Sequence, residues 1–242
     1  AGDIIWTIAG RIPARKGNYY AQIPADWTPV NTGWAGWLAP DQYPIIRNPS
    51  SHRLWSANAR MIGGEALDRL GDGGYDLGAR AGQIRDGLFA RNAITVHDMN
   101  AIQLDHRALF LKRWKRLLEA VIYQSADSQL KNNVQQKLQD WDGQASAQSE
   151  SYLLVRTFRQ QVIAQILDPF TMIVQRDHPD FALPRLGQVE HAVWTLIAQQ
   201  PEHLLPPGNT DWESFLLSCV KLATQHINQR IKTGSPQNWG TY

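Results

Sequence analysis

The chain is expected to adopt an α+β fold, with a strand-rich part over residues 1–62 and a predominantly helical part over residues 63–242. Two observations carry that expectation. Short runs of β-branched and aromatic residues, bounded by Gly and Pro, are confined to the first sixty or so residues. From Thr95 onward, apolar residues recur at spacings of three and four, the period of a helix with one buried face. Composition bounds the class further: 242 residues, 43% hydrophobic and 19% charged, describe an ordinary globular chain of one large domain or two small ones. No apolar run approaches the roughly 18 residues of a membrane span. A net charge of +2 is too small to imply nucleic acid or an anionic membrane as partner.

Ile4 to Ile8 reads as a strand stopped by Gly10 and Pro13, and Tyr19 to Ile23 as a second extended run ending at Pro24. Trp27, Trp34 and Trp37 fall among Gly and Pro in an irregular segment. Such aromatics commonly pack over a sheet edge, and otherwise line a ligand pocket. Ile45–Arg47 and Arg53–Ser56 make two more strands around the Asn48-Pro49 turn. A sheet of so few strands is incomplete, and its open edges and apolar faces require a cover.

After Arg60 the composition changes. Glu65–Leu70 is a helical turn or two bracketed by glycines. The Gly71-Asp72-Gly73-Gly74 run lacks the Lys-Ser/Thr of a phosphate-binding loop and reads as a plain loop. Thr95, followed by Asp98, starts a helix with a hydroxyl cap and an acid in its first turn. Its stripe is Leu104, Ala108, Leu111, Leu118 and Ile122, interrupted by Lys112, Arg113, Lys115 and Arg116, a basic cluster expected to face water. A polar helix runs from about Ala126 to Gln139. Ser149 or Ser151 caps the next, whose stripe is Val155, Phe158, Val162 and Ile166 and which Pro169 ends. A linker through His178-Pro179 and Leu183-Pro184 leads to a helix carrying Val189, Val193, Leu196 and Ile197. The last helix starts at a Thr210/Glu213 capping box and buries Leu216, Val220, Ala223, Ile227 and Ile231. Cys219 lies in an apolar stretch and reads as a buried structural thiol. The seven histidines are scattered and form no zinc motif.

The stretch from Asn48 to Arg60 carries the chemistry. A side-chain amide such as that of Asn58, delivered at a strand end, suits donation to an oxygen that gains negative charge during a reaction. An asparagine there also serves simply to close a turn.

The Ile4–Pro13 run, Gly33-Trp34-Ala35-Gly36-Trp37-Leu38, Asn48-Pro49, Trp55-Ser56-Ala57-Asn58-Ala59-Arg60 and Gly78-Ala79-Arg80-Ala81-Gly82-Gln83-Ile84 occur in this order. Together they resemble the β chain of the penicillin acylase family, N-terminal-nucleophile amidohydrolases. The resemblance implies a partial N-terminal-nucleophile hydrolase sheet followed by a helical region that ends just before a further core strand. It implies hydrolysis of a linear amide, of the β-lactam side-chain or N-acyl-homoserine-lactone type, through an acyl-enzyme. In the family the nucleophile is a serine at the head of the β chain, activated by its own amino group. Ala1 and Gly2 lack a nucleophilic side chain, so the chain is expected to be an inactive internal fragment. Its partners are then the remainder of the same acylase, namely the α chain and the N-terminal part of the β chain, together with a small-molecule amide.

The resemblance places Asn58 as the oxyanion donor and Arg80 as the arginine that orients it. A salt bridge is the structural alternative for Arg80. The sequence departs from the family pattern at His52, where many relatives have glycine, and at Ala59, where many have a second asparagine. The chemistry implies no cofactor. A structural calcium in the parent enzyme would have Asp68 as its nearest carboxylate here, with too few other ligands identifiable. The implied location is periplasmic or secreted. A reading of another class is a stand-alone, mostly helical small-molecule-binding module with an aromatic pocket around Trp27, Trp34 and Trp37.

Overall fold

β-Branched and aromatic side chains favour a pleated backbone, and the first such run forms strand β1, Ile5–Thr7. The computed structural model describes residues 2–18, 24–71, 74–183 and 186–242. Its chain divides into two units, Ala1–Leu104 with Leu186–Gln188, and Asp105–Arg185 with Val189–Tyr242. The change from strands to helices expected at 62–63 falls inside the first unit.

In the first unit β1 pairs antiparallel with β4, Ile45–Arg47, in the register Ile5↔Arg47, Trp6↔Ile46, Thr7↔Ile45. Asn48 closes this ladder, its Oδ1 accepting from the Ile4 N–H at 2.9 Å and its own N–H reaching the Ile4 carbonyl at 2.9 Å. Strands β2, Pro13–Lys16, and β3, Gly33–Trp37, form a second antiparallel pair. Pro13 therefore opens a strand rather than closing one, a position where its missing N–H costs the ladder nothing. Trp34 and Trp37 belong to β3 rather than to an irregular segment. The extended run expected at Tyr19–Ile23 lies outside the described residues.

The strand expected at Arg53–Ser56 does not form. That segment is held by side chains instead of a ladder. The Arg53 guanidinium donates to the carbonyls of Leu88 and Arg91 at 3.1 and 2.6 Å, and Trp55 meets Phe89 edge-on at 5.7 Å.

Among the described residues this unit also holds α1, Gly64–Leu70, α2, Ala79–Phe89, and α3, Val96–Gln103. The Arg15 guanidinium donates to the carbonyls of Arg69 and Leu70, satisfying the last turn of α1. Thr95 caps α3 as expected, accepting from the Asp98 N–H while Asp98 Oδ2 accepts from the Thr95 N–H at 2.9 Å. The Thr95 hydroxyl and then its N–H, both donating to Asp98 Oδ2, followed by the Arg91 contact at 2.7 Å, hold the Asp98 carboxyl down to about 2.

The second unit is helical: α4, Lys112–Gln124; α5, Ser128–Gln139; α6, Glu150–Gln175; α7, Glu190–Gln199; and α8, Trp212–Arg230. The stripes on α6 and α8 are buried as their periodicity demands, with Val155, Phe158, Val162, Val220 and Ala223 at 0% exposure. Trp114, buried among them, donates from Nε1 to Glu190 at 3.1 Å, and Arg159 closes on the other carboxylate oxygen. The buried acid is thereby both paired and hydrogen-bonded.

Three expectations are corrected here. The Leu104–Ile122 stripe is not one helix: α3 ends at Gln103, Leu104 is 66% exposed, and α4 begins only at Lys112. Pro169 does not end α6, which continues to Gln175. A proline removes one intrahelical bond but leaves later turns able to form, and Thr171 Oγ1 adds a bond to the Leu167 carbonyl. The cap of α8 is Asp211 with Ser214, not Thr210 with Glu213. The Asp211 carboxylate accepts from the Ser214 N–H at 2.7 Å, and the Ser214 bonds hold its carboxyl below the usual range.

Cys219 has no exposed surface, and burial pushes its thiol up to about 12. The folded protein is expected to leave this thiol unmodified by iodoacetamide at pH 8, with alkylation appearing only in denaturant; rapid labelling of the native chain would contradict the packing. Asp98 is depressed from 3.8 to about 2 on folding, so its contribution is present above about pH 4 and is lost as pH falls toward 2. Asp98→Asn should remove that part of the acid sensitivity, seen as a smaller drop in Tm between pH 4 and pH 2.

Candidate active site

Between β4 and α1 the backbone turns sharply three times, at Asn48, His52 and Asn58, whose φ angles are +44°, +52° and +58°. Asparagine tolerates this left-handed region better than most residues because its short side chain bonds locally. His52 occupies the region too, so the turn forms without a glycine there. Arg53 anchors the loop that follows, with Nη1 on the Ser51 carbonyl at 3.2 Å and Phe89 beneath its guanidinium at 5.2 Å.

Helix α2 then presents Arg80 in its first turn. Arg80 Nη2 donates to Asn58 Oδ1 at 2.9 Å, to the Ala57 carbonyl at 3.1 Å and to Asp76 Oδ2 at 3.2 Å. The Asp76 N–H returns to the Asn58 carbonyl at 2.9 Å, which closes a ring of bonds around Asn58. Both Asn58 and Arg80 are exposed. The structure therefore brings together the two site residues read from the sequence, joined by a direct bond.

That bond decides which way the amide faces. A guanidinium only donates, so it selects the oxygen of Asn58 and leaves the NH₂ group pointing away. Among the described residues Nδ2 has no partner. An exposed, oriented N–H donor of this kind is suited to an oxygen that becomes negative. Ala59 adds no side-chain donor.

Sequence reasoning missed the support beneath this pair. The Gln188 side-chain amide donates to the carbonyls of Tyr75 and Asp76, both at 2.9 Å. Gly187 lies so close that a Cβ there would sit 2.3 Å from the Tyr75 carbonyl oxygen. These contacts bridge more than a hundred residues, and no local pattern announces them.

The other candidates stay apart. Asp68 is exposed on α1, and among the described residues no three His, Cys, Asp or Glu side chains gather to hold a metal. Trp27 and Trp34 meet edge-on at 5.7 Å, whereas Trp37 lies under Arg11 at 5.7 Å.

The chain is α+β, with few strands and a long helical part. The Penicillin amidase family matches the chain over residues 1–242, and the chain belongs to that family. It is similar to the protein named Penicillin acylase 2 proenzyme from Pseudomonas sp. (strain SE83), at 26% identity over 235 residues, which cover 95% of this chain and 30% of that protein. Among solved structures it is similar to a thermostable penicillin G acylase from Alcaligenes faecalis, with a TM-score of 0.57 and 15% identity over 99% of this chain and 46% of the other. The chain thus spans less than half the length of either relative.

Gly187→Ala is expected to displace the Tyr75–Asp76 segment and to destabilise the chain by about 1–3 kcal/mol, the usual cost of overpacking. Thermal denaturation measures this, and an unchanged Tm would contradict the close approach.

Proposed function

We propose that this chain supplies the oxyanion donor of a penicillin-acylase-like amidohydrolase, with Asn58 as the donor and Arg80 as the residue that orients it. The observation that carries the reading is the Arg80–Asn58 bond at 2.9 Å, which spends the amide oxygen and leaves its NH₂ exposed. As a nucleophile adds to the amide carbon of a substrate, the carbonyl oxygen takes on negative charge. Asn58 Nδ2 donates to it then, and again when the acyl-enzyme is hydrolysed. The ion pair with Asp76 balances the Arg80 charge without burying it. Needing only an amide and a guanidinium, this stabilisation calls for no cofactor.

The attacking group belongs to another part of the enzyme in this reading. Among the described residues, none of the groups bonded to Asn58 or Arg80 carries a hydroxyl or thiol, and the chain covers 30% of the curated relative. The exposed apolar residues on the two strand pairs, Ile5, Trp34, Trp37 and Ile45, fit faces that the remaining polypeptide covers. The substrate class is a linear amide of the β-lactam side-chain or N-acyl-homoserine-lactone type. Among the described residues no helix is long and apolar enough to cross a membrane. A periplasmic or secreted location follows from the family reading.

In the active enzyme that carries this chain, Asn58→Ala is expected to lower kcat by about 10²–10³-fold, roughly 3–4 kcal/mol of transition-state stabilisation, with KM little changed. The 242 residues alone are expected to hydrolyse no amide. Hydrolysis by the isolated chain that survives Asn58→Ala would sink the proposal.

A further inference from the structure

The loop that carries Asn58 also borders an open cavity of about 240 Å³, lined in part by Arg53 and Arg60. Ile46, Leu54, Trp55 and Met61 form its apolar wall. Its charge is uncompensated. Arg53 spends its N–H groups on the backbone carbonyls of Ser51, Leu88 and Arg91 and, among the described residues, pairs with no carboxylate. Arg60 is exposed, and among the described residues it makes no hydrogen bond, ion pair or ring contact. Among the described residues no acid lines the cavity. Arg53 and Arg60 therefore both line a small, largely apolar cleft that among the described residues holds no complementary charge, and Arg60 keeps its full fork of donors free.

We propose that this cleft is a specificity site, in which Arg60 binds a carboxylate carried by the amide substrate while Ile46, Leu54, Trp55 and Met61 take its apolar body. A planar fork of N–H donors matches the two oxygens of a carboxylate, and the bond is charge-assisted. Arg53 is fixed by its carbonyl bonds, so its charge lends a constant positive potential while Arg60 makes the contact. Arg60 stands two residues from Asn58 in the chain, so the anion-binding residue and the amide donor of this reading share one loop. The volume suits one substituent of a small molecule rather than a peptide segment. For its place in a reaction the inference rests on the Asn58 reading; binding of the carboxylate itself does not.

The test uses the enzyme that carries this chain and substrate pairs that differ by one carboxylate. On the amine half, an acylated 4-aminobenzoate is compared with the matching anilide; on the acyl half, a dicarboxylic half-amide is compared with its methyl ester. In one of the pairs the carboxylate amide should be preferred in kcat/KM, and Arg60→Met should reduce that preference about 10- to 100-fold, chiefly through KM. Arg60→Lys should keep part of it. Titration calorimetry with benzoate against benzamide makes the same comparison without turnover, and a carboxylate preference abolished by Arg60→Met supports the site. Equal treatment of both members of each pair, or a preference that Arg60→Met leaves intact, overturns it. Asn58→Ala separates the two ideas. If that variant keeps full kcat while the Arg60-dependent preference persists, the catalytic reading has failed and the carboxylate site stands.

Discussion

One hydrogen bond sets the character of the site: Arg80 Nη2 to Asn58 Oδ1, 2.9 Å long. An asparagine amide has two faces of opposite chemistry and turns between them at little cost unless something distinguishes them. A guanidinium does so, because rotation of the amide would set its NH₂ against N–H donors. Everything that holds Arg80 in place therefore also holds the donor direction of Asn58. The first turn of α2 carries the guanidinium, and Asp76 braces it. Gln188 and Gly187 in turn pin the Tyr75–Asp76 backbone. The strand pair β1–β4 fixes where the loop leaves, since Asn48 bonds back to Ile4 before the left-handed turns begin.

The two halves of the chain were unequally legible. In the helical half, stripes such as Leu216–Val220–Ala223–Ile227 mark buried faces because burial and helical period are one constraint. Errors there came from residues whose signals compete. Pro169 reads as a stop, yet one absent N–H does not prevent α6 from resuming, and Asp211 outcompetes Thr210 as a cap because a carboxylate accepts more strongly than a hydroxyl. Helix α2 went unread because Gly82 and Gly87 interrupt its pattern. In the first sixty or so residues the tertiary contacts decide. Arg53–Ser56 has strand composition, but Arg53 finds its partners on carbonyls of α2 and of Arg91, so no ladder forms.

The site was legible only in part, and through family likeness rather than through spacing. Asn58 and Arg80 are 22 residues apart, and nothing in their local sequence says that they touch. Likeness named them, and the coordinates join them by a bond. Asp76 and Gly187 were invisible, since their roles are backbone contacts and a close approach. The free charge on Arg60 was equally hidden, because an unpaired guanidinium is recognised only once every neighbour has been placed.

The account stands or falls on where the Asn58 amide points when an anionic oxygen is present. A crystal structure of the intact enzyme with a phosphonate mimic of the tetrahedral intermediate measures this directly. The account requires Asn58 Nδ2 at about 2.7–3.1 Å from the phosphonate oxygen, with Oδ1 still held by Arg80. An Asn58 side chain turned away from that oxygen, or Arg80 released from it and bound to the phosphonate in its place, would contradict the account.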